Sequence, residues 1–380
     1  MRGAENPFRV GEHVRGEFFT DRADECQVVL RGMRDRGRLL LWGPRRMGKS
    51  TVIGFVAERV RDEGGIVLGA DLSTVTSLTE VADRLLAAVS REERWQERLL
   101  AWVRSLAPVV TLGADAEGRP RLGVALEVRG RRAEREREVL SAVLDRVDAL
   151  AVEHDGPVVL VLDEVQQLGQ IGGEVAEWLL RNRMQEHRGT AYVCAGSKEG
   201  LVREMLRPKR AFHGFFELLH VGPIDPDHLG RWIDERLNGA GVEARGVGPA
   251  IVDGAGPRTQ DVLLCARTLW FRTAGAGRAR AADVPLAMDE IVTAEDASLR
   301  RTWEDLTALQ KSVLNAVAAG ETELHSEETR IRFGLGPSSS VTSAVAALTS
   351  RSILERRQQE IRFDSPFFRR WVEREVLRPV

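Results

Sequence analysis

The chain has 380 residues, of which 43% are hydrophobic and 29% are charged, and its formal net charge at pH 7 is −2. This length predicts two or three domains, and the composition excludes a largely disordered or fibrous chain. The near-zero net charge excludes a surface coated with basic residues, although it allows a local basic patch. No apolar run is as long as a membrane span, and the first residues show no secretory signal, so we expect a cytoplasmic protein without a membrane partner.

The cysteines and histidines show no metal-binding spacing. Cys26, Cys194 and Cys265 lie far apart in the chain, and none belongs to a CxxC pair. The histidines are too widely spaced for a site of the HExxH type. We therefore predict buried, reduced thiols and no structural metal.

Short apolar runs alternate with amphipathic segments in the first part of the chain. GRLLLW predicts a strand, TVIGFVAERVRDE has helical spacing, and GGIVLGADL predicts a second strand. Residues 77–106 predict two helices and residues 131–153 one long helix. Between them, TLGADAEGRPRLGVALEV predicts a β-hairpin around a Gly/Pro turn.

Three further strands are predicted between residues 157 and 222. VVLVLDE is a continuous apolar run, which is typical of a strand buried on both faces of a parallel sheet. A helix at 173–187 and the strands AYVCAGS and ELLHV follow. Such alternation of strands and helices predicts a doubly wound α/β domain.

After Pro223 the pattern becomes helical, with glycine-rich turns up to residue 296. Three helices are then predicted at 306–318, 326–333 and 338–350. Two short strands around ERRQQE and a helix starting near Ser365-Pro366 complete the order of a winged-helix domain. We predict an α/β core at 1–222 with an insertion at about 92–150, a helical lid at 223–298 and a winged-helix domain at 299–380.

A phosphate-binding pattern, GxxxxGK[ST], follows the first strand and precedes a helix. It consists of Gly43, Pro44, Arg45, Arg46, Met47, Gly48, Lys49 and Ser50. Glycines let the backbone turn its N–H groups toward phosphate oxygens, and the helix N-terminus adds unpaired donors. Lys49 is predicted to contact the β- and γ-phosphates, and the Ser50 hydroxyl is predicted to bind Mg²⁺.

Two carboxylates end the VVLVLDE strand. Asp163 is predicted to hold Mg²⁺, and Glu164 to polarise the water that attacks the γ-phosphate. Ser197 ends a further strand, and two roles stay open for it: a sensor that contacts the attacking water, or a cap of the next helix. No NKxD-type guanine reader follows Asp163, so we predict an adenine nucleotide.

These motifs resemble the prokaryotic "archaeal ATPase" family, a STAND-like branch of P-loop ATPases related to AAA+ and origin-recognition proteins. An N-terminal family motif is matched by Asn6, Pro7, Phe8, Gly11, Val14, Gly16, Phe19, Arg22 and Glu25. Asp21 stands where members usually have glycine. The phosphate loop is similar to the family's GxRRxGKT, with Ser50 in place of threonine. DGAGP, which ends at Pro257, resembles the lid motif GGxP with Ala255 in place of a glycine, and DSPFFRRW also has a family counterpart.

The resemblance implies an α/β P-loop NTPase with a parallel sheet of the AAA+/STAND type, a helical lid and a C-terminal winged helix. ATP and Mg²⁺ are the implied cofactors. The implied nucleotide-binding residues are Gly43, Pro44, Arg45, Arg46, Met47, Gly48, Lys49, Ser50, Thr51, Arg22 and Pro257. Pro257 would lie beside the base, while Arg22 and Phe19 would either contact the adenine or dock the N-terminal helix. An arginine finger, acting in cis or on a neighbouring subunit, is sought among Arg203, Arg207, Lys209 and Arg210.

The charges of the winged-helix domain do not identify its partner. Residues 301–380 contain 12 Arg or Lys and 11 Asp or Glu, and SSSVTSAVAALTS, the third predicted helix, has no basic side chain. Arg351 follows that helix, and Arg356, Arg357 and Arg362 lie on the predicted wing. DNA binding, protein docking and autoinhibition all remain open. Phe367 and Trp371 either anchor a clamp or pack in the domain core.

The combined motifs predict an ATP-hydrolysing molecular switch with a winged-helix output module, in a regulatory, signalling or defence role. Its expected partners are ATP or ADP, a DNA or protein partner bound through 299–380, and further copies in a homo-oligomer. The alternative is a DNA-associated AAA+-like initiator or loader. A DNA-binding regulator with an inactive nucleotide site is disfavoured because Lys49, Ser50, Asp163 and Glu164 are all present.

Overall fold

The computed structural model describes residues 5–11, 18–105, 110–114, 120–124, 132–357 and 360–377. These residues form two compact units. One contains residues 21–222, and the other contains 223–377 together with 5–11 and 18–20. Val14 and Gly16 of the N-terminal motif and the turn of the predicted hairpin lie outside the described residues. In the described part of the chain, no helix has the length and hydropathy that a membrane crossing requires.

A five-stranded parallel sheet forms the centre of the first unit, in the order β2-β5-β6-β1-β7. Its strands are β1 (Arg38–Trp42), β2 (Ile66–Asp71), β5 (Val158–Asp163), β6 (Thr190–Gly196) and β7 (Glu217–His220). A separate antiparallel hairpin is formed by β3 (Val110–Ala114) and β4 (Pro120–Val124), as the sequence predicts. All residues of β6 are buried, because this strand is covered on both faces.

Helices pack on both faces of this sheet. The helices of this unit are α1 (Ala23–Arg34), α2 (Lys49–Asp62), α3 (Leu78–Ser90), α4 (Gln96–Ser105), α5 (Arg132–Val152), α6 (Gln167–Glu186) and α7 (Glu199–Met205), and α4 packs against α3. Leu40 of β1 joins the hydrophobic cluster that contains α3, α5 and α6. Leu39 alternates to the opposite face, where it lies against Gly32 of α1. The two-sided packing confirms the predicted doubly wound α/β class.

One helix boundary differs from the predicted one. The sequence predicts a helix at 173–187, whereas α6 begins at Gln167 and has a break at Gly173, where φ is 63°. Glycine tolerates this left-handed conformation at little steric cost. The helical turn before the break packs Leu168 into the core of the unit, so burial stabilises a turn that the local glycine pattern disfavours.

The second unit is helical as far as the winged helix. Its first helices are α8 (Pro226–Gly239), α9 (Val247–Ala255), α10 (Thr259–Thr273), α11 (Val284–Ala294) and α12 (Asp296–Glu304). Phe8 is 2% exposed and packs in the same hydrophobic cluster as these helices, with its ring 6.0 Å from that of Trp232. The sequence predicted that the N-terminal residues belong to the α/β domain. Residues 5–11 and 18–20 instead pack with the second unit, because Phe8 is buried there.

The last part of the chain has the winged-helix order. It consists of α13 (Ala308–Ala318), α14 (Glu327–Phe333), α15 (Ser338–Ser350), β8 (Leu354–Arg357), β9 (Glu360–Phe363) and α16 (Pro366–Glu375). Hydroxyl side chains cap three of the helices, at Thr307, Ser326 and Ser365. Phe367 and Trp371 are each 2% exposed in the core cluster, so both side chains pack in the core.

A buried arginine at the start of α10 joins this helix to the winged helix inside the second unit. Arg258 is 3% exposed and forms ion pairs with Asp364 and, at 2.9 Å, with Glu355 of β8. Arg370 of α16 pairs with Asp289 of α11 at 2.7 Å. Removing Glu355 or Asp364 would leave the buried charge of Arg258 with one partner fewer, so these contacts hold α10 and the winged helix together.

We expect Gly248→Ala to lower the free energy of unfolding by about 2–3 kcal/mol, measured by urea denaturation. Helices α8 and α9 cross closely at this glycine, and an added Cβ would lie 1.9 Å from the backbone oxygen of Gly230. Gly239→Ala is the control, because an added Cβ there meets nothing within 4 Å. It should change the free energy by less than about 1 kcal/mol, and equal effects of the two variants would contradict the close helix crossing.

Candidate functional site

The phosphate-binding pattern forms the loop between β1 and the N-terminus of α2. Gly43 has φ +145° and Gly48 has φ +93°, and Gly48 is the residue directly before the helix. At Gly43 an added Cβ would lie 2.4 Å from the backbone oxygen of Val221, so this position accepts only glycine. The loop therefore needs its glycines for backbone conformation and close approach, as the sequence pattern predicts.

Lys49 lies buried inside the loop, 7% exposed. Its Nζ donates hydrogen bonds to the backbone oxygens of Gly43, at 2.8 Å, and Pro44, at 2.7 Å. Burial lowers the pKa of this ammonium group to about 8, although Glu164 and Asp163 oppose the shift. A charged donor held among carbonyl oxygens can be redirected to the phosphate oxygens of a ligand.

Ser50 and Asp163 come together although they are 113 positions apart in the chain. The Ser50 Oγ donates to Asp163 Oδ2 at 3.0 Å. Burial raises the pKa of the Asp163 carboxyl, while the hydrogen bond from Ser50 acts in the opposite direction. A hydroxyl and a carboxylate oxygen at this spacing fit Mg²⁺, a hard cation that takes oxygen ligands. Both residues predicted to bind the metal are therefore adjacent.

Glu164 has its carboxylate held by two neighbours. The Ser197 hydroxyl donates to Oε1, the amide of Gln166 donates to Oε2, and the backbone N–H of Ser197 lies 3.4 Å from Oε2. Glu164 itself has φ +56°, a left-handed conformation that is unusual for a residue with a side chain. The outlier is of the kind that occurs at functional sites.

Ser197 connects this carboxylate to the phosphate loop. Its Oγ also accepts a hydrogen bond from Arg45 Nε at 3.3 Å. Helix α7 has Lys198 as its N-cap residue, and no side chain caps it. Of the two roles left open by the sequence, the contact with Glu164 places Ser197 beside the predicted base rather than at a helix cap.

Arg22 lies in a tight turn next to the loop, with φ +59° at Asp21 and +67° at Arg22. It is 6% exposed. Its guanidinium donates to the backbone oxygen of Met47 at 3.3 Å and to that of Gly222, and it pairs with Glu25 at 2.7 Å. Arg22 thus supports the phosphate loop directly, while its predicted contact with adenine stays a prediction. Asp21 adopts a left-handed conformation that glycine favours.

The remaining predicted residues have different surroundings. Met47 is buried, and Thr51 lies in the first turn of α2. Pro257 belongs to the second unit, where it follows a cis peptide bond and lines a cavity of about 830 Å³ together with Arg258. Its predicted contact with the base stays a prediction.

The predicted arginine-finger candidates divide into two groups. Arg210 pairs at 2.8 Å with Glu177, whose side chain is 3% exposed. Its guanidinium therefore already has a buried partner in its own unit. Arg203 and Arg207 form exposed pairs with Glu199 and Glu204, which are weak contacts. Lys209 is exposed in the loop that follows α7.

Comparison with known proteins identifies two domains. Residues 24–193 match the family described as "AAA ATPase domain", and residues 297–374 match the one described as "Probable winged helix domain". The chain joins an AAA ATPase domain to a winged-helix domain. The predicted AAA+-type ATPase relationship and the predicted fold class are therefore confirmed. No curated protein sequence matches the chain.

Solved structures with the same fold cover nearly the whole chain. The Walker-type ATPase PABY2304 of Pyrococcus abyssi is 15% identical, with a TM-score of 0.64 over 94% of this chain and 97% of that one. The ORC2 protein of Aeropyrum pernix in its ADPNP–ADP complexes is 15% identical, with a TM-score of 0.56 over 98% and 96%. The ORC1 protein of Aeropyrum pernix in complex with DNA is 16% identical, with a TM-score of 0.54 over 95% and 94%. At this level of identity, the likeness shows a shared fold.

Replacing Arg22 by methionine should lower stability by about 3 kcal/mol, because two buried carbonyl oxygens and Glu25 lose their partner. The loop distortion should weaken ATP and GTP binding by the same factor, measured by competition with a fluorescent nucleotide. Arg31→Met, on the exposed face of α1, is the control and should change neither quantity measurably. A loss of affinity confined to ATP would show instead that Arg22 contacts adenine.

Proposed function

We propose that the chain is an ATP-hydrolysing molecular switch that uses Mg²⁺ and ATP. The observation that carries this proposal is the convergence of Lys49, the Ser50–Asp163 pair and Glu164 at one edge of the parallel sheet. These groups supply a cation for the phosphates, oxygen ligands for a metal and a carboxylate for water activation. Together they match the parts that phosphoryl transfer requires.

Each residue has a separate task in the proposed reaction. The backbone N–H groups of the phosphate loop and the N-terminus of α2 bind the phosphates, and Lys49 exchanges its carbonyl partners for phosphate oxygens. Ser50 and Asp163 would hold Mg²⁺, which when bound neutralises charge on the β- and γ-phosphates. Glu164 orients the attacking water and accepts its proton. Ser197 and Gln166 keep the Glu164 carboxylate in place during this step.

The proposed switch has its output in the second unit. The ion pairs of Arg258 fasten the lid helices to the winged helix, so we propose that both respond to the nucleotide as one body. Pro257, directly before Arg258, would lie beside the bound adenine, so that nucleotide binding would affect this body. A regulatory, signalling or defence role follows from this division between a nucleotide site and an output module. A homo-oligomer would bring Lys209, Arg203 or Arg207 of one subunit to the site of another.

The alternative function is that of a DNA-associated initiator or loader. It is favoured by the fold shared with ORC1 of Aeropyrum pernix, whose structure is of a complex with DNA, and by the exposed Arg356 on the wing. The exposed residues of α15, including Ser339, Thr342 and Ser343, carry hydroxyls except for Ala346, and none is a cation. Affinity for DNA rests chiefly on cations that contact phosphates. The lack of cations on this surface therefore favours the switch over the loader.

Lys49→Ala should abolish ATP binding, whereas Glu164→Gln should keep binding and lower hydrolysis by about 10²–10⁴-fold. Binding is measured with a fluorescent ATP analogue and hydrolysis by phosphate release. Lys311→Ala, which removes a lysine from the winged helix, is the control for Lys49 and should behave as the wild type. Normal turnover by the Glu164→Gln variant would show that Glu164 is not the base.

The double change Arg356→Glu and Arg357→Glu separates the two functions. The proposed switch predicts negligible salt-dependent DNA binding by both wild type and variant, measured by fluorescence anisotropy against salt concentration. The loader predicts binding that is lost in the variant, with a salt slope that falls by about 0.9 for each phosphate contact removed.

ATPase activity should be unchanged by this double change, because it leaves in place Glu355 and Asp364, which pair with Arg258. Raised basal ATPase activity is expected only when an ion pair of Arg258 is removed, as in Asp364→Asn. Strong DNA binding by the wild type would contradict the switch in favour of the loader.

A further inference from the structure

Gln166 is a buried polar residue between β5 and α6 that the sequence motifs did not single out. Its side chain lies two positions after Glu164 and is 3% exposed. The amide nitrogen donates a hydrogen bond to Oε2 of Glu164. Among the described residues, nothing donates a hydrogen bond to its amide oxygen, which is fully buried.

Folding stability does not explain a half-satisfied amide at this position. A buried acceptor without a donor loses its hydration and gains no protein contact in return. An apolar side chain of similar length would avoid this loss and fill the same space. A buried polar group that lowers the stability of the fold is typical of a functional site.

The neighbouring strand leaves room for this amide. A Cβ added to Gly196, the last residue of β6, would lie 2.8 Å from the Gln166 amide oxygen and 2.6 Å from Cγ2 of Val202. The strand therefore ends in a residue without a side chain, and the Gln166 amide occupies the space beside it. This packing restricts the rotation of the amide and aims its nitrogen at Glu164.

The contacts of Glu164 show what the amide does. The Ser197 hydroxyl binds Oε1, while the Gln166 amide and the more distant backbone N–H of Ser197 bind Oε2, so donors on two different elements determine the plane of the carboxylate. A carboxylate has about four acceptor positions. These three donors leave a position open for a water.

We propose that Gln166 is a positioning residue that orients the Glu164 carboxylate toward the water that attacks ATP. The inference rests on the proposed ATP hydrolysis and adds a residue to it. Gln166 touches neither nucleotide nor water in this role and acts through Glu164. Its loss should therefore affect the hydrolytic step and leave the binding of ATP intact.

The test is the variant Gln166→Met, with Gln167→Met as the matched control. Gln167 is the next residue along the chain, and its amide faces the backbone oxygen of Val75 at 3.5 Å. For Gln166→Met, kcat should fall on the order of 10- to 100-fold, while KM and the affinity for a fluorescent ATP analogue stay within about twofold. Its thermal unfolding midpoint should equal or exceed that of the wild type. Gln167→Met should keep the wild-type kcat.

A double-variant cycle adds an independent readout. If Gln166 acts only through the Glu164 carboxylate, adding Gln166→Met to Glu164→Gln should lower the residual turnover no further. An additive loss would overturn the proposal. Gln166→Leu serves as a second apolar replacement should the methionine variant fail to fold.

Other outcomes separate this inference from the proposed function. Wild-type turnover by Gln166→Met, or a loss of turnover matched by an equal loss of stability or of ATP affinity, would overturn the positioning role alone. If the full-length wild-type protein with Mg²⁺ releases no phosphate from ATP, the proposed function fails and this inference fails with it.

Discussion

The parallel pairing of β5 with β6 and of β6 with β1 is the constraint on which the candidate site depends. Parallel strands end at the same edge of a sheet, so residues that follow these three strands must meet there. The phosphate loop follows β1, Asp163 ends β5, and Ser197 follows β6. Because β6 lies between the other two strands, Ser197 can contact both Glu164 and Arg45. No local feature of the chain could bring these side chains together without that strand order.

Burial perturbs the charged groups of the candidate site. Desolvation opposes ionisation of both Lys49 and Asp163, as the lowered pKa of the first and the raised pKa of the second show. The protein compensates with short-range contacts: loop carbonyls for Lys49, a hydroxyl for Asp163, and two donors for Glu164. Ionisable groups with perturbed pKa values that are concentrated at one sheet edge are typical of functional sites. A phosphate and a divalent cation would satisfy these groups better than the protein does alone.

The second unit uses buried ion pairs for a different purpose. Arg258 is enclosed between Glu355 and Asp364, and Arg370 pairs with Asp289, so charge joins the lid helices to the winged helix across a shared apolar core. Replacing such pairs by apolar side chains is often neutral, whereas breaking one is costly. They therefore specify which surfaces of the lid and the winged helix meet. The same core includes Phe8 from the start of the chain, which the sequence alone placed with the α/β domain.

Local pattern alone determined the elements and most of the site. Apolar runs identify the strands, helical periodicity identifies α13 to α15, the Ser365 cap identifies the start of α16, and the glycine spacing identifies the phosphate loop, because each signal depends on residues close in sequence. The tertiary structure decided the order of the strands, the turn of α6 before Gly173, and the partners of Arg22 and Gln166. Gln166 was missed because a lone glutamine after two acids is no motif. These features depend on contacts such as Ser50 with Asp163, whose partners lie 113 positions apart, and only the packed sheet brings them within reach.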